Sequence, residues 1–503
     1  MTATIVVGID GATRRLIDPW VTDGTLPTFE RLFADGVTGE LQSVLPPVTS
    51  PNWKAYATGK NPGKIGVFWW QNVDVKNRRV WLPAERYQHN TEYWELLATD
   101  HRVGVLNVPT TYPPKSVGEF LVSGPPDGEN TGFTHPKSLE HTLRSNYEYR
   151  VTKHGSLSDG DPDAFEDVLE LIDLRFTVAK DLAAEHSLDF LQVTTFYINS
   201  LHHHRWNDEY VKRGWKLIDE HLSEFLADED RNIVLMSDHG HAKIESVFYI
   251  NEWLRDQGYL SYGNDVAETL HSAGITTDRI KRLLTPADKR LSKIDLQSVA
   301  ASVAPQWLLN RLPDDRGGLG GSKHGMVEWD DTLALASAQG PVYLTVPPSD
   351  PQYESLRTEL IEALSSLTGA DGRPIARDVH RGEAVYSGRF TDEAPDIVID
   401  KFPHVNIRET LGTGQVFTER DRSWAGVNRR EGLFCAHGPA FSNKDVGSLS
   451  ILDLAPTLLH LHGHAVPDDM DGEVRQDVFA EDTAPADREP ETQPGDQYIR
   501  PST

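Results

Sequence analysis

The sequence predicts an α/β protein built on a largely parallel central sheet, with an inserted helical subdomain. Three observations predict it. Short β-branched apolar runs alternate with longer stretches of helical period. Two of the runs before residue 262 end in aspartate, Asp10 and Asp238, at the strand ends where parallel sheets carry their chemistry. One segment, 262–330, breaks the alternation with helical patterning alone.

The first element is the run "TIVVGID" (4–10), which stops at Gly8 and Asp10. No basic region followed by a long apolar stretch precedes it, so it reads as a buried strand and not as a signal peptide. Next comes "PPVTSPNWKAYATGKNPG" (46–63). Pro is favoured in the first turn of a helix, and Ser or Thr just before it caps free N–H groups. Thr49 can therefore be a helix cap, or a nucleophile held where the helix dipole favours negative charge. The residues alone leave both readings open. The runs "RVGVLNV" (102–108), "LDFLQVTTF" (188–196) and "NIVLMSD" (232–238) supply further strands, with amphipathic helices over 163–186 and 208–227.

The helical segment 262–330 closes with "DDRGGLGGSKHG", the pattern of a lid joined by a mobile loop. Strand patterning resumes in "GPVYLTV" (340–346), "APDIVID" (394–400) and "GLFCAHGPAF" (432–441), and "ILDLAPTLLHLHG" (451–463) reads as a closing helix. From residue 481 the chain is Pro-rich and polar, which predicts a disordered tail. The expected division is 1–261 and 331–480 as two parts of one catalytic core, 262–330 as the insert and 481–503 as the tail.

Charge narrows the function. The 503 residues carry 49 basic against 76 acidic side chains, a net charge of −27. That argues against nucleic acid and against an anionic membrane as partners. It also fits a halophilic source, since an acidic, Lys-poor surface suits high-salt cytoplasm. A single cysteine, Cys435, excludes disulfides within the chain and Cys-based zinc sites, as in a reducing cytosol. No apolar run approaches the ~18 residues that span a bilayer. A cytoplasmic protein is expected; nothing in the sequence speaks to its oligomeric state.

The strongest local signal is "NIVLMSDHGHAK". A buried strand delivers Asp238 and His239, one oxygen and one nitrogen donor, suited to zinc or manganese. Asp10 is a second carboxylate at a strand end. Asp, His and Gly also make polar turns, and that reading stands beside the metal one. In "INSLHHHRW", a helical end sets His203 four residues after Asn199, on one face. Three consecutive histidines cannot all point inward; one ligand and two surface residues is the modest expectation.

With "GIDGA", "GTLPTFERLFADGV", "PPVTSPNWKAYATGKNPGKIGVF", "NVPTTYPP", "SDHG", "FYINEWL" and "ILDLAPTLLHLHGHAVPDDMDGEV" in this order, the chain resembles the alkaline phosphatase superfamily. More closely it resembles the type I phosphodiesterase/nucleotide pyrophosphatase branch. The resemblance runs from Ile5 to about Val474, least in the helical insert. It implies a three-layer sandwich. It implies Thr49 as nucleophile, Asp10, Asp238 and His239 as ligands of the activating metal, and His203 as a ligand of a second metal. Asn52 would help hold a phosphate oxygen. Two positions depart from the family pattern: Asn199 stands where Asp is usual and Asn428 where His is usual. Both belong to the second metal, for which an amide is a weak ligand. Three outcomes follow: one tight metal and one weak, a harder ion such as Mn or Mg at the second site, or a substitute ligand from His241, His324 or His437. Zinc is expected at the first site, with the second impaired or altered.

The expected function is metal-dependent hydrolysis of a small phosphoester through a phosphorylated or nucleotidylated Thr49. The alternative is a pseudoenzyme that binds a nucleotide or phosphorylated ligand. A Cys-type sulfatase is disfavoured because Cys435 lies far from the strand that would need it. The serine pattern of a cofactor-independent phosphoglycerate mutase is missing. Trp69 and Trp70 are candidates for base stacking, and Lys60 and Lys64 for phosphate contact. For these four, ordinary packing and a solvated helix end are the blander readings.

Overall fold

The computed structural model describes residues 3–125, 130–154, 157, 160–262, 327–419, 421 and 423–496. Among the described residues nine strands share one sheet: β1 (Thr4–Ile9), β2 (Val37–Gln42), β3 (Val103–Leu106), β4 (Phe120–Val122), β5 (Thr134–His135), β6 (Phe190–Thr195), β7 (Asn232–Met236), β8 (Glu431–His437) and β9 (Asp445–Ser450). Their order is β9-β2-β8-β7-β1-β6-β3-β4-β5. Strand β1 is parallel to both neighbours, with Ile5 opposite Leu191 on one side and Ile233 on the other. The antiparallel pairings involve β8 and the short edge strand β5.

Covering both faces explains why β1 is apolar throughout. Ile5, Val7 and Ile9 enter one core, with helices α2 (Pro162–His186), α3 (Tyr197–Arg205) and α4 (Glu209–Phe225). Val6 enters the other, with α1 (Thr49–Thr58) and α5 (Leu454–Leu461). Each fully buried aliphatic side chain contributes about 1.5–3 kcal/mol. Gly8 on β1 has a specific reason: a Cβ there would lie 2.5 Å from the Trp53 ring, so the missing side chain lets α1 sit close against the sheet. Cys435 is fully buried in β8, and burial pushes its thiol pKa up to about 12, which makes it inert.

A smaller antiparallel sheet orders Ala334–Ala336, Pro341–Leu344, Ile397–Lys401 and Ala376–Arg381, with its own core that includes Phe248, Trp253 and Leu254. The expected insert lies almost wholly in 263–326, outside the described residues, as does the Gly-rich loop that ends it.

The tail differs from expectation as far as residue 496. Ala484–Asp487 is helical, and Val466–Pro467 pairs in parallel with Thr492–Gln493. Asp496 accepts from Thr91 and bridges to Lys60. Composition suggested disorder because the segment carries few apolar residues, but main-chain pairing and ion pairs hold it. Lys60 and Lys64 are the anchors: Lys60 bridges Asp469 and Asp496, and Lys64 bridges Asp471. That use, not phosphate contact, accounts for both lysines.

Candidate metal and catalytic site

Three of the sequence-selected residues meet at the carboxyl ends of β1 and β7. Asp10 follows β1, and its N–H donates to Thr195 O at the end of β6 (3.1 Å). Asp238 and His239 follow β7. One donor atom from each of the three lies within 4.8 Å of the others, and all three residues are fully buried. Asp238 Oδ1 accepts the Gly11 N–H (3.2 Å), which ties the two strand ends together.

Thr49 is brought in by α1. It is the first helical residue; Val48 is the N-cap, and no side chain caps the helix. The expected cap is therefore not formed, and the Thr49 hydroxyl is free for the site, with Oγ1 3.3 Å from His239 Nε2. Its neighbour Ser50 turns the other way, to the Tyr87 hydroxyl (3.0 Å). Asn52 differs from expectation. Its Oδ1 accepts from Val44 N (2.8 Å), and its Nδ2 donates to Pro46 O and Val48 O. The amide is spent on fixing the approach to the helix, so nothing is left for a phosphate oxygen.

The arrangement fits a divalent cation. His239 Nδ1 lies 3.0 Å from Gly240 O. A carbonyl only accepts, so Nδ1 carries the proton and the Nε2 lone pair faces the site. Asp238 Oδ2 is 3.2 Å from Nε2 and Asp10 Oδ1 is 3.8 Å away. Both of these carboxylate oxygens are buried without a hydrogen-bond partner. Unpaired acceptors converging on a lone pair are costly unless a cation sits among them. Asp10 Oδ2 accepts the Trp53 indole N–H (2.8 Å), which orients the carboxylate. Sequence reading missed Trp53. The available signal was a buried-type indole, which needs an acceptor, one helical turn after Thr49.

The electrostatics agree. Burial, then the Asp238 charge, raises the Asp10 pKa well above its ordinary value; burial raises Asp238 to about 8 and lowers His239 to about 3. A bound cation reverses that balance for the carboxylates. The sign follows for the metal-stripped protein. Raised carboxyl pKa values contribute stability that is full below the ordinary 3.8 and lost as pH rises through about 8 for Asp238. His239 works oppositely: its contribution holds above the ordinary 6.5 and is lost as pH falls through about 3. Thermal denaturation should therefore show the stripped protein losing Tm between pH ~4 and ~8 relative to the metal-loaded protein. A constant gap across that range would contradict the carboxylate pair as its source.

The residues assigned to a second metal are adjacent but differently employed. Asn199 and His203 lie one turn apart on α3, and His203 Nδ1 donates to Gly426 O (2.9 Å), leaving Nε2 with the lone pair. Asn428 Nδ2 donates to Pro47 O (2.9 Å) and lies 3.1 Å from His239 Nε2, so it presents N–H where a ligand would present an acceptor. The Oδ1 atoms of Asn199 and Asn428 are buried without partners. His202 is also buried, accepting from Trp215 (3.0 Å), so two of the three consecutive histidines point inward rather than one.

His241 does reach this half of the site, on the strand Gly240–Lys243 directly opposite Asn428. Its Nε2 faces the protonated Nδ1 of His203 at 3.2 Å, which puts the His241 proton on Nδ1 and leaves that atom no lone pair for a metal. His437 sits opposite Ile233, at the far end of β7, and His324 lies outside the described residues. Lys401 was not singled out by sequence. Its ammonium donates to Asn428 O (2.6 Å), and burial lowers its pKa to about 7.

The described residues thus form a mostly parallel nine-stranded sheet flanked by helices, with buried metal-type donors at the carboxyl ends of two strands. Residues 4–425 match the model of the family described as type I phosphodiesterase / nucleotide pyrophosphatase, and the chain belongs to that family. Among solved structures it is similar to phosphonoacetate hydrolase from Sinorhizobium meliloti 1021 in complex with phosphonoformate, at 14% identity, covering 90% of this chain and 94% of that one, TM-score 0.52. It is also similar to murine ectonucleotide pyrophosphatase/phosphodiesterase 5, at 13% identity, covering 95% of this chain and 100% of that one, TM-score 0.49. At 14% identity the likeness to the phosphonoacetate hydrolase concerns the fold alone. No curated protein matches the chain significantly. Among the described residues no helix is long and apolar enough to cross a membrane.

Proposed function

We propose that the chain is a metal-dependent hydrolase of small phosphoesters, working through an ester of Thr49. One observation carries the reading: the Thr49 hydroxyl stands at the start of a buried helix, 3.3 Å from His239 Nε2, beside two buried carboxylates with unpartnered oxygens. A divalent cation, zinc by donor type, would lower the pKa of the hydroxyl and offset phosphoryl charge when bound. Asp10, Asp238 and His239 would hold it. Thr49 Oγ1 attacks phosphorus, its proton passes to solvent, and the alcohol or phosphate leaving group departs with the bonding electrons and takes up a proton from solvent as its basicity requires. Water then cleaves the threonine ester and regenerates the hydroxyl. The positive end of α1 favours the anionic phosphoryl group throughout.

The second half of the reaction is where this chain is weakest. Asn199 and Asn428 supply no charge, and the Asn428 amide offers N–H to the site. We therefore expect one tight metal per active site, a second bound weakly or as Mn or Mg, and turnover that depends on a good leaving group. The same two residues support a second reading, a protein that binds a phosphorylated ligand without turning it over. Metal content measured alongside hydrolysis of p-nitrophenyl phosphodiesters and monoesters separates the two. The joint substitution Asn199→Asp with Asn428→His should raise both metal content and hydrolysis of poor leaving groups. A joint variant with neither gain would refute the idea that these amides limit turnover. The acidic surface supports a small ester over a polynucleotide, in a cytoplasmic setting.

A further inference from the structure

The amino ends of the central strands, opposite the Thr49 site, carry another set of metal-type donors. Asp100 and His101 form the turn that leads into β3, and His464 follows α5. Their neighbour His462 bonds the hydroxyl of Thr4, the first residue of β1, which fixes the location (3.1 Å). Asp100 Oδ1 lies 2.7 Å from His101 Nδ1 and 2.9 Å from His464 Nε2. One donor atom from each of the three lies within 4.8 Å of the others.

One further observation points to a ligand. His464 Nε2 is shielded from solvent and, despite its 2.9 Å approach to Asp100, lacks hydrogen-bond geometry. The cluster also has the right shape for an open site. The side chains of His101 and His464 are 2% and 14% exposed, while Asp100 is 62% exposed. The layout is like that of the Thr49 site, an adjacent Asp–His pair joined by one residue distant in sequence, with an imidazole in place of the second carboxylate. One carboxylate and two imidazoles form a zinc-type donor set, with a fourth position left for water.

We propose that Asp100, His101 and His464 bind a zinc-class divalent ion, separate from the Thr49 site, with solvent completing its shell beside Asp100. The ion joins the turn before β3 to the chain that leaves α5. The segment it grips continues into Val466–Pro467, the strand that pairs with Thr492–Gln493. Its role is to hold the root of the C-terminal segment against the core, and it takes no part in the chemistry at Thr49.

The test counts zinc on the metal-stripped full chain. His464→Ala and Asp100→Asn should each bind one zinc fewer than wild type, with hydrolysis of a p-nitrophenyl phosphodiester unchanged. Asp100 is exposed, so its Asn variant keeps the fold even if the His464 variant does not. Zinc should still raise the Tm of an Asp238→Asn chain, in which the Thr49 site is disabled, and should not do so once His464→Ala is added. Equal zinc counts in wild type, Asp100→Asn and His464→Ala would overturn the proposal and leave a metal-free hydrogen-bonded clasp. An inactive wild-type chain would count against the hydrolase reading alone, because the zinc count does not depend on turnover.

Discussion

Thr49→Ala is expected to lower phosphodiester hydrolysis by roughly 10⁴-fold or more while leaving metal content intact, since single removal of a covalent nucleophile commonly costs that much. The argument rests on how α1 presents the residue. Val48 is extended and occupies the cap position, so Thr49 begins the helix with its hydroxyl unused by the cap. Asp10, Asp238 and His239 remain as three protein donors in the variant, so the ion should stay. The hydroxyl of Thr49→Ser should restore part of the rate. Quenched samples of wild type given a slow substrate should carry the phosphoryl or nucleotidyl group on Thr49, seen by mass spectrometry of the peptide. Full activity in the Ala variant would end the nucleophile assignment.

Asp238→Asn should act in opposite directions on metal and on stability. Asn keeps an oxygen to accept the Gly11 N–H, so the two strand ends stay tied. It removes one of two neighbouring buried carboxylate charges, each of which has one oxygen without a hydrogen-bond partner. Loss of outer-shell contacts alone costs about 10–100-fold in metal affinity, so loss of a ligand charge should cost more than ~100-fold. Activity should fall with metal occupancy. The stripped variant should nevertheless be more stable than stripped wild type near pH 8, where the wild-type carboxyls are forced toward ionisation. Titration of zinc by competition with a chromophoric chelator, together with Tm of the stripped proteins, checks both halves. A stripped variant less stable than stripped wild type would contradict the charge argument.

Much of this was legible in the sequence for physical reasons. A strand covered on both faces must be apolar throughout, and so "TIVVGI" and "NIVLM" were readable, together with the carboxylates that follow them. Thr49 needed the family resemblance, because a hydroxyl before a Pro-started helix is equally good as a cap. Asn52 was misread since the Pro46–Val48 carbonyls need donors, and an amide four residues on supplies them. The tautomers at His203 and His241 depend on which group lies beside each ring, the Gly426 carbonyl for the first and His203 Nδ1 for the second, which no spacing encodes. Lys60 and Lys64 read as solvated helix-end lysines or phosphate contacts, and neither reading found their partners, Asp469, Asp471 and Asp496, because these come from the far end of the chain.

The zinc-loaded protein, crystallised and mapped by anomalous scattering at the zinc edge, offers the most direct measurement. A peak within bonding distance of Asp10, Asp238 and His239, with Thr49 Oγ1 next to it, is the expected outcome. Electron density for those four side chains with no peak among them would leave the threonine without its activating ion.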